Sequence, residues 1–188
     1  LASSIFSDTI DGLSLALAQA GYQLLIGQTQ FDGDQEISVV EAFIGRRVDG
    51  LVLIRSGDDR RVDERLEDAG IPFVQAWELG DQASDLAVGF SNFDAGVAAG
   101  RFLIQRGYRQ LVRFIGPLPS LSEAGEAAIE LKTRHPELSA VLCANDMIAA
   151  GIIFECQRRG IRVPEELAVM GFAGLPIAEA KVPTLSTV

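Results

Sequence analysis

The chain has 188 residues, 48% of them hydrophobic, and a formal net charge of −10. That length and apolar fraction suffice for a substantial core in one or two domains, and no apolar run is long enough to span a membrane. The acidic balance argues against nucleic-acid binding by this surface on its own, because phosphate binding needs a basic footprint.

In chain order, Ser7 to Ala20 has the spacing of an amphipathic helix, with Ile10, Leu13, Leu17 and Ala20 on one face, ended by Gly21. Tyr22 to Gly27 reads as a strand. Gln35 to Arg46 reads as a helix with Ile37, Val40, Phe43 and Ile44 inward. Gly50 to Ile54 is an expected strand, Val62 to Ala69 a helix, and Pro72 to Trp77 a strand. Alternating β and α elements argue for a parallel sheet covered on both faces. After a polar stretch come a strand at Leu86 to Phe90, an expected N-cap at Asn92, and a helix from Phe93 to Gln105. A strand at Leu111 to Ile115 and a helix at Glu123 to Arg134 follow.

The clearest unit is Glu137 to Phe172. Ala140 to Cys143 is a short apolar run suited to a buried strand, and Asn145-Asp146 are good N-cap residues. A helix runs to Arg159, with Arg158 and Arg159 in the last turn, where cations suit the dipole, and Gly160 at the expected left-handed cap. Leu167 to Phe172 is the next strand, and Thr184 to Val188 a final extended segment. Strand, crossover helix and strand form a right-handed parallel unit whose ligands bind beyond the strands' carboxyl ends. Two successive alternating sets suggest two similar lobes with a cleft between them. One join breaks the alternation. After Leu111 to Ile115 comes Gly-Pro-Leu-Pro-Ser and at once a helix, and the first helix lacks a preceding strand. The spacing reads as an omission of segments.

The search for chemistry is mostly negative. The glycine-rich phosphate cradles of dinucleotide and triphosphate sites are absent, as are HExxH, CxxC and GxSxG. No metal site and no cofactor is expected. Cys143 and Cys156 read as buried free thiols. The lone His135, beside Pro136, reads as a helix-end or solvated residue. Asn145-Asp146 by itself reads as a plain helix cap.

The motifs VLCANDMIAAG, GIRVPEELAVMGF and VPTLSTV, in that order and spacing, resemble the effector-binding core of the lac-repressor (LacI/GalR) family of bacterial transcription regulators. RRVDGLVL, GIPFV, VGFSNFDAG and LIQRGYRQLVRFIG extend the resemblance over nearly the full chain. It implies an α/β fold of two similar lobes, parallel sheets flanked by helices, like periplasmic binding proteins with a central cleft. Residues 1–90 would form the N-terminal lobe, its first strand missing, and 91–188 the C-terminal lobe. The helix-turn-helix head that would contact operator DNA is not in this chain. The family switches by lobe closure on a small molecule within a homodimer, without chemistry, so the chain is expected to be a non-enzyme, cytoplasmic and without a membrane partner. A periplasmic sugar-binding protein of a transport system is the alternative.

The resemblance also implies effector contacts. Ile5 and Phe6 fall where members pack side chains on the ligand, although core packing explains Phe6 equally well. Asn145 matches an asparagine that bonds sugar hydroxyls. Trp77 and Glu78 lie near an acidic or aromatic contact, and Ser91 and Asn92 fall at the lobe crossover, where helix capping is the other reading. Phe172 and Ala173 follow the strand where many members carry an aspartate that clamps hydroxyls. Ala173 removes that carboxylate, and Ser91 replaces another acidic position. Losing negative charge favours an anionic ligand, and Arg55, past the second strand, has the chemistry to pair with a carboxylate, a solvated arginine being the other reading. The forms VGFSN and GFAG look most like the gluconate-repressor branch, so the expected effector is a sugar acid such as gluconate.

Overall fold

The computed structural model describes residues 4–29, 32–54, 60–79, 86–109, 120–180 and 184–188. The chain divides into two compact units, Leu1–Asp94 and Ala95–Val188.

The first unit opens with a 3₁₀ turn, Ser4–Phe6, running into helix α1, Ser7–Gln19. Helix α2, Gly33–Gly45, starts where Asp32 accepts hydrogen bonds from the Asp34 and Gln35 amides. Strand β1 (Leu51–Ile54), helix α3 (Arg60–Ala69), β2 (Phe73–Glu78) and β3 (Ala87–Phe90) follow. The strands lie in the order β1-β2-β3, all parallel, with Leu51 opposite Phe73 and Gln75 opposite Ala87. Side chains alternate across a strand. One face therefore carries Leu51, Leu53 and Phe73 onto Val40, Val62 and Leu66 of α2 and α3. On the other, Val52, Val88 and Phe90 remain exposed.

The expected strand at Tyr22 to Gly27 does not form. Residues 22–29 have no regular structure, and Tyr22, Leu25 and Ile26 are about half exposed. A strand exists only through bonds to a neighbour, and no described strand pairs with this segment. The expected strand at Leu111 to Ile115 lies outside the described residues.

Helix α4, Asn92–Gln105, carries the chain from the first unit into the second. Helix α5, Leu121–Arg134, opens on a reciprocal cap. The Ser120 hydroxyl accepts from the Glu123 amide, and the Glu123 carboxylate accepts from the Ser120 amide. These bonds hold the Glu123 carboxyl below the usual carboxylate range. Strand β4 (Ala140–Leu142), helix α6 (Asp146–Arg159), β5 (Ala168–Met170) and a short α7 (Pro176–Ala180) complete the unit. Strands β4 and β5 pair in parallel, and Ser186 of the terminal segment bridges to Met170. Both faces of the pair are covered. Val141 and Val169 join the main core with Ala128, Ile153, Cys156 and Leu185, while Ala140, Ala168 and Met170 pack on Ala99 and Leu103 of α4. Burying a Val, Leu or Ile side chain contributes about 1.5–3 kcal/mol, so this small sheet rests mainly on its helices. Cys143 and Cys156 are both buried thiols, not joined in a disulfide.

Glu155 on α6 is paired by Arg158 at 2.6 Å and Arg159 at 2.5 Å. The bonds from these two guanidinium groups hold its carboxyl below the ordinary 4.5. A depressed carboxyl contributes stability above its unfolded value and loses it as pH falls through the folded value. Glu155→Gln is therefore expected to lower stability at neutral pH and flatten the acid limb below 4.5. Urea midpoints of both proteins across that range check it.

Candidate functional site

Two groups of residues gather at strand carboxyl ends, one in each unit. In the first unit, Phe6 meets the Trp77 ring edge-on, with centroids 4.8 Å apart, and Phe90 approaches the same ring at 5.7 Å. Such aromatic pairs contribute about 0.5–1.5 kcal/mol beyond area burial. The Trp77 indole N–H donates to the Thr9 hydroxyl at 3.2 Å, tying the end of β2 to the start of α1. Trp77 also has φ 81°, a backbone conformation rare for a bulky residue. Such conformations persist only where surroundings over-determine them, and they cluster at binding sites.

Gly89 is the reason this end of the sheet closes. It lies opposite Trp77 in the β2–β3 register. A Cβ there would meet the Trp77 carbonyl carbon at 2.6 Å and the Glu78 nitrogen at 2.8 Å. Gly89→Ala is expected to cost about 1–3 kcal/mol and to shift the indole emission as Trp77 moves off Phe6 and Phe90. Denaturation followed by fluorescence checks both.

Ile5 and Phe6 are half-buried in the 3₁₀ turn, and Glu78 is half-buried at the end of β2. Ser91, not Asn92, caps α4: its hydroxyl accepts from the Asp94 amide at 3.0 Å. Asn92 is the first helical residue and is exposed. A hydroxyl at that place satisfies an orphan helix amide at low entropy cost, so capping accounts for Ser91. Arg55 lies outside the described residues.

In the second unit, Asn145 is the N-cap of α6. Its side-chain oxygen accepts from the Ile148 amide at 2.9 Å. That bond fixes which way the amide points and leaves its NH₂ group as a donor at a helix N-terminus, where partial positive charge collects. Phe172 and Ala173 follow β5 and are half-buried. The Phe172 carbonyl accepts from the Asp146 amide at 3.1 Å, and the Ala173 amide donates to the Val188 carbonyl at 2.8 Å. Ala173 has φ 92°. The structure thus brings Asn145, Phe172 and Ala173 to one end of the β4–β5 pair. In the first unit it brings Phe6 and Trp77 together, with Ile5 and Glu78 beside them in the chain.

Two features of these sites escape sequence reasoning: the left-handed backbone of Trp77, and the full burial of Asp146 next to the cap. Neither is encoded in residue type or spacing. A shallow groove of about 340 Å³ lies elsewhere, lined by Glu41, Ile44, Arg65, Asp68 and Ala69 of α2 and α3. Among the described residues, no group of three or more His, Cys, Asp or Glu could hold a metal ion, and no helix is long and apolar enough to cross a membrane.

The family described as periplasmic binding protein-like domain matches residues 40–188. The HTH-type transcriptional regulator GntR of Escherichia coli K12 is 28% identical over 218 positions, covering 100% of this chain and 66% of that protein. The regulator of the same name from Pseudomonas aeruginosa is 29% identical over 222 positions, covering 100% of this chain and 64% of that protein. Against the 188 residues here, those alignments mean that the relatives carry internal segments without a counterpart in this chain. The crystal structure of transcription regulator GntR from Chromobacterium violaceum matches with a TM-score of 0.91 and 29% identity, covering 100% of this chain and 80% of that one. The chain belongs to the periplasmic binding protein-like domain family, in the form found in LacI-family transcriptional regulators.

Proposed function

We propose that this chain is the effector-binding and dimerisation core of a ligand-responsive, DNA-binding transcriptional repressor of sugar-acid catabolism. Its effector is a sugar acid such as gluconate. Asn145 is assigned to the ligand's hydroxyls. The observation that carries the choice of ligand lies at the end of β4 and β5. There Asn145 offers amide donors at a helix N-terminus, beside an alanine, Ala173, that brings no carboxylate. Amide donors with no exposed carboxylate beside them suit a carboxylate-bearing polyol better than a neutral sugar.

The regulator reading follows the matched relatives, which are transcription regulators and not transport proteins or enzymes. On this reading the molecule works in the cytoplasm through differential affinity of two conformations for the effector. Operator contact belongs to a separate DNA-binding head, so the acidic charge of −10 is no obstacle.

A thermal-shift panel of gluconate and other sugar acids against neutral sugars, nucleosides and sugar phosphates tests it. A ligand at 100 times its Kd adds about 2.7 kcal/mol. The expected result is a saturable shift confined to sugar acids, with the ligand recovered unchanged. A shift with neutral hexoses alone would sink the sugar-acid assignment, and turnover of the ligand would sink the regulator.

A further inference from the structure

Asp146 is 0% exposed, among the most deeply buried side chains in the chain. One of its oxygens, Oδ2, accepts from the Leu175 amide at 2.6 Å. The other, Oδ1, is buried and has no hydrogen-bond partner among the described residues. A carboxylate oxygen left so is costly, and an apolar residue would fill the same space without that cost. The surroundings are built around it nonetheless. A Cβ at Gly171 would collide with Oδ1 and would meet Leu185 at 2.8 Å. The Asp146 amide donates to the Phe172 carbonyl at 3.1 Å, so both ends of this residue hold the segment that follows β5. Within that segment Ala173 has φ 92° and Gly174 φ 61°, conformations that a free chain avoids for alanine.

We infer that Asp146 is a positioning residue. Its carboxylate latches the Phe172–Leu175 segment to the start of α6 and so fixes Ala173 relative to the Asn145 amide. The charge-assisted bond to Leu175 offsets the strain at Ala173, and the α6 N-terminus offsets part of the cost of the buried charge. No ligand reaches a side chain buried this fully, so its influence on binding passes through the segment it holds. The consequence for binding rests on the reading that Asn145 and Ala173 face the effector; the latch itself does not.

Amide hydrogen exchange on this chain, with wild type, Asp146→Ala and Asp146→Asn, tests both parts. In Asp146→Ala the Leu175 and Ala173 amides are expected to lose about 10- to 100-fold more protection than those of Ile129 and Ile153, because a bond to a charged acceptor is lost. Asp146→Asn keeps an acceptor without the charge and is expected to lose about tenfold at Leu175 alone. It decides the matter if the alanine variant fails to fold. Unchanged protection at Leu175, or an equal fall at all four amides, would overturn the latch. Gluconate titration of the folded variants reads the second part, with at least about tenfold weaker binding expected. Undiminished affinity with an opened segment would overturn the positioning role. If gluconate fails to bind wild type, the effector reading fails, and the exchange data still decide the latch.

Discussion

Gly151→Ala is expected to lower the stability of the second unit by about 2 kcal/mol or more. A Cβ at 151 would collide with the Leu121 carbonyl oxygen and lie 2.9 Å from its carbon and 3.0 Å from its Cα. These are backbone atoms at the start of α5, so no rotamer change relieves them. Across the same contact, a Cβ at Gly125 would meet the Glu155 Cβ at 2.7 Å and the Gly151 carbonyl at 2.9 Å. Helices α5 and α6 therefore approach through facing glycines, with Ala124, Ala128 and Ala149 buried beside them. Overpacking costs about 1–3 kcal/mol, occasionally more, and the helix-propensity gain of about 1 kcal/mol from removing glycine offsets only part of a severe clash. Gly96→Ala in α4 is the control. Among the described residues nothing lies within 4 Å of a Cβ there, so the same change is expected to stabilise by up to about 1 kcal/mol. Urea denaturation of the two variants, with opposite signs expected, checks the pair.

Ala173→Asp is expected to weaken sugar-acid binding by about 10- to 100-fold and to leave neutral sugars less affected. Two unit charges at about 4 Å repel by roughly 4 kcal/mol at an effective dielectric of 20 and by about 1 kcal/mol in water; a half-buried site lies between. The substitution adds a carboxylate at the residue following Phe172, beside the N-terminus of α6. Aspartate tolerates positive φ better than most residues, so the φ of 92° at this position is no bar to folding. Parallel calorimetric titrations of gluconate and glucose into wild type and variant separate a change of selectivity from a general loss of binding.

The second unit was legible where local chemistry and burial agree. Asn145, the apolar run of α6, and Gly160 with φ 71° mark a helix whose cap, face and stop are all written in residue type. Ser120 and Glu123 likewise spell a reciprocal cap, although the sequence reading began that helix two residues later. The failures have a common cause. Tyr22 to Gly27 has strand composition, but a strand needs a partner, which no single segment encodes. Ser91 and Asn92 are both good caps, and only the backbone decides that Ser91 serves. Helix α7, five residues after Gly174, is too short to carry a periodic signal. At the candidate site, the position of Asn145 and of Ala173 just beyond strands β4 and β5 was legible through family motifs. The ring contacts of Trp77 with Phe6 and Phe90 join residues far apart in the chain. The burial of Asp146 depends on Gly171 and Leu185 packing over it.

The most direct measurement is a calorimetric titration of gluconate into wild type and Asn145→Ser. Serine keeps the helix cap, because its hydroxyl accepts from the Ile148 amide as the asparagine oxygen does, but it removes the amide donors. Saturable gluconate binding to wild type is expected, with at least about tenfold weaker binding to the variant at unchanged thermal stability. Equal affinity in the two proteins would contradict this expectation, leaving Asn145 as a helix cap and nothing more.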